Sequence, residues 1–172
     1  KAINKSMDEQ TYFKMISDKT ASLFSASCKL GANTVTNDKN KINALSGFGE
    51  LLGQAFQIKD DLFDILGSSN TLGKPSGYDL KKNMLTLPLI YILNNKSSIQ
   101  KQAFKIKLKI LSKSNNLDSI KNLIINEGGI DYAEKRLKEI SDSAKEKLDI
   151  FQASDCKKSL ILALDFNLKR NM

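Results

Sequence analysis

The 172-residue chain contains no histidine and no tryptophan, two cysteines, two prolines and only two arginines. Each scarcity excludes something. Without histidine there is no Ser-His-Asp triad, no imidazole acid–base step and no His–metal site. Cys28 and Cys156 form neither a zinc spacing nor a disulfide framework, so a reducing cytoplasm is the expected setting. Pro75 and Pro88 both fall outside the interior of any long helical pattern. No apolar run approaches the roughly 20 residues that a membrane-spanning helix needs, and the first residues do not read as a signal peptide. The net charge is +8, but of 27 basic residues only Arg136 and Arg170 are arginine. Nucleic-acid readout leans on the bidentate arginine fork, so a lysine excess is a poor pointer to DNA or RNA, and no nucleic-acid partner is expected. The densest basic stretch, Lys101, Lys105, Lys107, Lys109 and Lys113, is interleaved with Phe104, Ile106, Leu108, Ile110 and Leu111 and reads as the solvated face of an ordinary helix, with the apolar residues supplying the other face.

What remains is 41% hydrophobic and 27% charged, enough for one globular unit with a real core. Apolar residues recur at three- and four-residue steps almost throughout. Tyr12, Ile16, Leu23, Ala26 and Leu30 predict a long first helix over about Met7–Leu30, without a convincing N-terminal cap and closed by Gly31. Ile42, Leu45, Phe48, Leu52, Phe56, Phe63 and Leu66 predict a second over about Lys41–Leu66. Gly73, Pro75 and Gly77 mark an ordered loop over Gly73–Asp79, and a short apolar helix follows with Pro88 in its first turn. Four more helices are predicted over about Ser97–Ser112, Leu117–Glu127, Ile130–Phe151 and Ser154–Asn167, with Gly128–Gly129 as a break. No strand alternation or repeat appears, so residues 1–172 are expected to form one all-α unit.

The chemistry concentrates near the end of the second helix, in Phe56-Gln57-Ile58-Lys59-Asp60-Asp61-Leu62-Phe63-Asp64. In this DDxxD pattern Asp60, Asp61 and Asp64 are three and four apart, so all three carboxylates can face one side, with Gln57 a turn earlier. Clustered like charges suit Mg²⁺, which takes oxygen ligands and binds through one or two carboxylates plus substrate phosphates. The same cluster also reads as a solvated acidic face. Lys19, beside the largely neutral stretch Thr20–Ala26, and Lys74, in the Gly/Pro loop, are the cations a diphosphate would need; each also reads as a plain surface lysine. Two apparent motifs are not what they suggest. Gly47-x-Gly49-x-x-x-Gly53 is one residue too long for a dinucleotide fingerprint and lies inside a helix, where small residues instead permit close packing; Gly73-Lys74 lacks the Ser or Thr of a P-loop.

Three blocks, in this order and at these spacings, make the chain resemble the C-terminal half of a trans-type polyprenyl diphosphate synthase, similar to octaprenyl and heptaprenyl diphosphate synthases. They are Tyr12–Phe24 with Lys19-Thr20, Phe48-Gly49 through Asp64, and Gly73-Lys74-Pro75-Ser76-Gly77-Tyr78-Asp79-Leu80 followed by Thr86-Leu87-Pro88-Leu89-Ile90. Gly128-Gly129-Ile130 and Tyr132-Ala133 echo a weaker pattern. The resemblance implies the helical bundle of the isoprenoid synthases, here without its N-terminal helices. It implies that Asp60, Asp61 and Asp64 hold Mg²⁺ against an allylic diphosphate such as farnesyl diphosphate. Lys19, Thr20, Gln57 and Lys74 would contact that diphosphate, and Phe56 would line the pocket. The implied reaction is head-to-tail condensation with isopentenyl diphosphate, in an enzyme that is a homodimer when intact and whose lipid product can draw it to a membrane surface. The family's first Asp-rich motif is not found, and Asn83-Met84 replaces a Gly-Lys pair that supplies a phosphate contact. The chain alone is therefore expected to be inactive. Other readings are a split or regulatory subunit needing a partner with the first motif, a helical interaction domain with a surface acidic cluster, and a terpene cyclase, which the Lys-Thr and Gly-Lys blocks fit less well.

Overall fold

A computed structural model describes residues 8–67, 85–114 and 116–170, and all regular structure among them is helical. Helix α1 spans Glu9–Ile16, a π-helical turn Ser17–Ala21, and α2 Ser22–Asn33. Helix α3 spans Lys39–Leu66, α4 Leu87–Asn94, α5 Ser98–Lys113, α6 Leu117–Asn126, α7 Gly129–Lys147 and α8 Asp155–Lys169. No helix among the described residues is long and apolar enough to cross a membrane. The described residues divide into two compact units: 8–12 with 60–67, 85–114 and 116–135, and 13–59 with 136–170. Helices α1, α3 and α7 each contribute to both.

In the first unit the start of α1 is capped after all. Asp8 accepts the Thr11 backbone N–H at 2.7 Å, and hydrogen bonding from the Thr11 side chain first, then from this N–H, holds its carboxyl below the ordinary aspartate value of 3.8. Helix α4 has Thr86 in extended conformation before it and Pro88 in its first turn, where the missing N–H costs nothing. Leu87, Pro88, Leu89, Ile90, Ile92 and Leu93 are all buried, so this helix is apolar all round because it is enclosed all round. Helices α4 and α5 both pack on α6. Helix α5 opens with a capping box: Ser97 accepts from the Gln100 N–H, and the Gln100 side chain accepts from the Ser97 N–H. At the predicted break, Gly128 has φ +72°, a conformation that glycine adopts without Cβ strain. A Cβ on neighbouring Gly129 would lie 2.9 Å from the Pro88 carbonyl oxygen, so α7 begins in direct contact with α4. Tyr91 and Tyr132 stack there with centroids 4.1 Å apart.

In the second unit α8 starts at the Ser154 cap, which accepts from the Lys157 N–H. Lys145 on α7 pairs with Asp165 on α8 at 2.8 Å. Lys59 donates to the Leu168 carbonyl at 3.1 Å, satisfying one of the last acceptors of α8. Cys28 and Cys156 are free thiols, and partial burial raises the Cys28 thiol above its usual value.

The one long first helix of the sequence reading is broken by the π turn, and the break changes which residues are buried. Ile16 and Ala21 are both buried and stand five apart, the spacing of a π turn rather than an α turn. The inward stripe therefore passes on to Ala21 and Ala32, and the expected continuation through Leu23, Ala26 and Leu30 falls outside. Leu23 is 70% exposed and Leu30 68%. One extra residue in one turn rotated the face.

Candidate active site

The Lys19-Thr20 pair lies within the π turn, a local geometry that is rare and concentrated at functional sites. What shapes it is the face of α3 opposite. A Cβ on Gly53 would stand 2.5 Å from the Ala21 Cα and 2.9 Å from the Ala21 Cβ; one on Gly49 would stand 2.5 Å from the Phe24 carbonyl oxygen. These two glycines let α3 approach the backbone of the π turn and of α2, the packing role expected of them. Glu50, Gly53 and Gln57 share one face of α3 at steps of three and four. Polar bonds flank the glycine contact on both sides. The Ser17 hydroxyl donates to Glu50, which also accepts from the Gln54 amide at 3.1 Å. The Thr20 hydroxyl donates to the Gln57 carbonyl oxygen at 2.9 Å, orienting the Gln57 amide with its nitrogen as the donor end. Two residues expected to contact a diphosphate are thereby joined directly, while Lys19 stands exposed one residue away.

Phe56, the expected pocket residue, is half-buried between two groups the sequence reading did not single out. Its ring lies 5.8 Å from that of Phe24, and the Arg170 guanidinium carbon lies 5.3 Å from its centroid. A pair of aromatics separated by 32 positions, and a basic residue near the far end of the chain, leave no local pattern to find.

In the other unit, the three aspartates do not behave alike. Asp61 is 6% exposed and accepts the hydroxyl of fully buried Tyr12 at 2.7 Å. Asp60 and Asp64 are only partly buried and stand one turn apart on α3. Of the three carboxylates expected to share one side, Asp61 is the one tied to the Tyr12 hydroxyl. Among the described residues no three His, Cys, Asp or Glu side chains gather as a protein-only metal cage requires. The Asp60 and Asp64 arrangement does fit a cation that takes one or two carboxylates and completes its shell with water and phosphate oxygens. Lys74, the loop Gly73–Asp79 and Asn83-Met84 lie outside the described residues.

Comparison with known proteins shows which family the chain is similar to. The family model described as polyprenyl synthetase matches residues 1–126. A short chain isoprenyl diphosphate synthase of Methanothermobacter thermautotrophicus is 32% identical over 164 residues, 94% of this chain and 50% of that protein. Heptaprenyl diphosphate synthase component 2 of Geobacillus stearothermophilus is 42% identical over 86 residues, 50% of this chain and 27% of that protein. A crystal structure of polyprenyl synthase from Caulobacter crescentus CB15, complexed with calcium and isoprenyl diphosphate, superposes with a TM-score of 0.85 at 30% identity, covering 99% of this chain and 52% of that one. The chain spans about half the length of the curated relatives that it matches end to end. With a family match over most of its length and a shared helical fold, the chain belongs to the polyprenyl synthetase family.

Proposed function

We propose that this chain is the part of a polyprenyl diphosphate synthase that grips the allylic diphosphate. The whole enzyme joins that substrate head to tail with isopentenyl diphosphate to build a long-chain polyprenyl diphosphate. The observation that carries the reading is the Thr20–Gln57 hydrogen bond at a π turn that presents Lys19. It gives an exposed cation, a hydroxyl and an amide from two helices a fixed mutual geometry, as recognition of an anionic group requires. Residues 1–172 are taken as one part of a single synthase domain.

In this reading Asp60 and Asp64 hold Mg²⁺, with Asp61 behind them positioned by Tyr12. When bound, Mg²⁺ supplies positive charge against the diphosphate oxygens. Lys19, Thr20 and Gln57 orient the diphosphate, and Lys74 adds a second cation as negative charge develops on the leaving group. The carbon–oxygen bond to the allylic carbon breaks, and pyrophosphate leaves with the electron pair. The double bond of isopentenyl diphosphate then attacks the allylic carbon to form the new carbon–carbon bond. A proton passes from the adduct to the released pyrophosphate, so no histidine base is needed. Phe56, fixed by Phe24 and Arg170, lines the apolar side of the allylic chain. The two free thiols accord with a cytoplasmic enzyme, and the intact enzyme is read as a homodimer.

In the intact enzyme, Asp60→Ala and Lys74→Ala should each lower turnover on the order of a hundredfold. Wild-type turnover in both removes the site assignment. A second reading has the first Asp-rich motif supplied by a separate chain; the relative named component 2 supports only that a synthase of this kind can work with a partner chain. Co-purification with a partner carrying that motif distinguishes it; a single reading frame encoding both halves eliminates it.

A further inference from the structure

We propose that Glu50 is a positioning residue for the turn that grips the diphosphate, acting through Ser17. The inference rests on the reading of Lys19 and Thr20 given above and adds an acid that this reading leaves without a role. Glu50 is partly buried on α3, where it accepts the Ser17 hydroxyl and also the Gln54 amide at 3.1 Å. Ser17 is the first residue of the π turn and Thr20 the fourth, so Lys19 lies between two residues that are each tied to α3. The turn and both ties fall within one compact unit.

The order of the contacts shows what the second tie does. From Thr20 onward the two segments run antiparallel: Thr20 meets Gln57, Ala21 faces Gly53, Phe24 faces Gly49 and Ser25 meets Ser46. Continued backwards, that order sets Ser17 opposite residues beyond Gln57. Its partner is instead Glu50, seven positions before Gln57 and roughly 10 Å away along the axis of α3. The Ser17–Glu50 bond is therefore a diagonal that runs against the Thr20–Gln57 bond. A slide of the turn toward one end of α3 lengthens one bond as it relaxes the other, so the two together fix the turn along α3. Gly53, packed on Ala21, sets how closely the turn lies. Lys19 is held in place by all three. Glu50 suits this position as an acceptor and not through its charge. A negative charge beside a diphosphate site repels the ligand, whereas its Oε1 takes the Ser17 hydroxyl and the Gln54 amide together, and an ionised acceptor makes the stronger bonds.

The test is steady-state kinetics of the intact enzyme, varying the allylic diphosphate and isopentenyl diphosphate separately. Ser17→Ala and Glu50→Ala should each raise the KM for the allylic substrate about fivefold and leave that for isopentenyl diphosphate within about twofold. Ser17→Ala combined with Glu50→Ala should be no worse than either alone, since both changes break one bond. Glu50→Gln keeps an acceptor for Ser17 and should hold the allylic KM within about twofold of wild type. Lys19→Ala separates this inference from the reading beneath it. An impaired Lys19→Ala enzyme beside unaffected Ser17→Ala and Glu50→Ala enzymes overturns the brace alone, and an unaffected Lys19→Ala enzyme overturns both. Equal rises in the two KM values, additive losses in the combined variant, or a Glu50→Gln enzyme as weak as Glu50→Ala also overturn the proposal, because each gives Glu50 a general structural or electrostatic role. Ser17→Ala removes only a hydroxyl, so it tests the brace even where Glu50→Ala fails to fold.

Discussion

Replacing Gly53 by alanine sets two effects of opposite sign against each other. Taken alone, Gly→Ala inside a helix stabilises by about 0.5–1 kcal/mol, because glycine loses more backbone freedom on folding. At Gly53 the new Cβ meets the Ala21 Cα at 2.5 Å, the Ala21 Cβ at 2.9 Å and Phe24 Cδ2 at 3.2 Å. The first contact is backbone, which cannot rotate away, so α3 and the π turn must part. Overpacking of this kind costs about 1–3 kcal/mol, and the net loss should be about 1–2 kcal/mol. With a urea m-value of about 2 kcal/mol/M for a domain of this size, the midpoint falls by roughly 0.5–1 M. Gly31→Ala is the internal control. It lies within α2 with nothing inside 4 Å of its Cβ position, so only the propensity gain applies and the midpoint should rise. A Gly53→Ala variant as stable as Gly31→Ala would refute the argument that these glycines hold α3 against the π turn. Parting them also lengthens the Thr20–Gln57 bond, so substrate binding in the intact enzyme should weaken together with stability.

Further consequences follow from single bonds. Tyr12→Phe removes a hydrogen bond to a buried carboxylate and should cost about 1.5–3 kcal/mol in urea unfolding; a loss near zero would return Asp61 to the group of solvated aspartates. A double-mutant cycle of Thr20→Val and Gln57→Ala should give a coupling of about 0.5–1.5 kcal/mol, and additivity would show that the bond is not formed in solution. Asp8, with its carboxyl held below 3.8 by Thr11, contributes stability that is fully present above that value and is lost as pH falls through its lowered folded-state value. The stability difference between wild type and Asp8→Ala should therefore shrink on acidification, and a difference independent of pH would contradict the cap.

Much of the helical fold is legible in the sequence because its punctuation is local. The break at Gly128–Gly129, Pro88 in the first turn of α4 and the polar stops after Leu30 and Leu66 act within a few residues, and the helix ends fall close to where those residues place them. The π turn is different. It depends on two glycines of α3, Gly49 and Gly53, lying against Ala21 and Phe24 some 25 to 32 positions away, and no periodicity within residues 9–33 announces it. A strict α period carried through the turn therefore put Leu23 and Leu30 inside. The acidic cluster shows the same division. That Asp60, Asp61 and Asp64 lie on one helix follows from spacing, whereas the Tyr12 hydroxyl that Asp61 accepts lies 49 residues upstream and leaves no local signal. In the lysine-rich helix, Phe104, Ile106, Leu108, Ile110 and Leu111 all read as one apolar face opposite the lysines. Only burial separates the inner Phe104 and Leu108 from the outer isoleucines.

The most direct test of the central claim is incorporation of labelled isopentenyl diphosphate into extractable lipid, with farnesyl diphosphate, Mg²⁺ and this chain, alone and together with an N-terminal half bearing the first Asp-rich motif. The account predicts no incorporation by the chain alone and turnover once the two are combined, abolished again by Asp60→Ala. Turnover by the chain alone would show that the first motif is dispensable. A combined sample that stays inactive, with both parts folded, would contradict the assignment of this chain to the diphosphate-gripping part of a synthase.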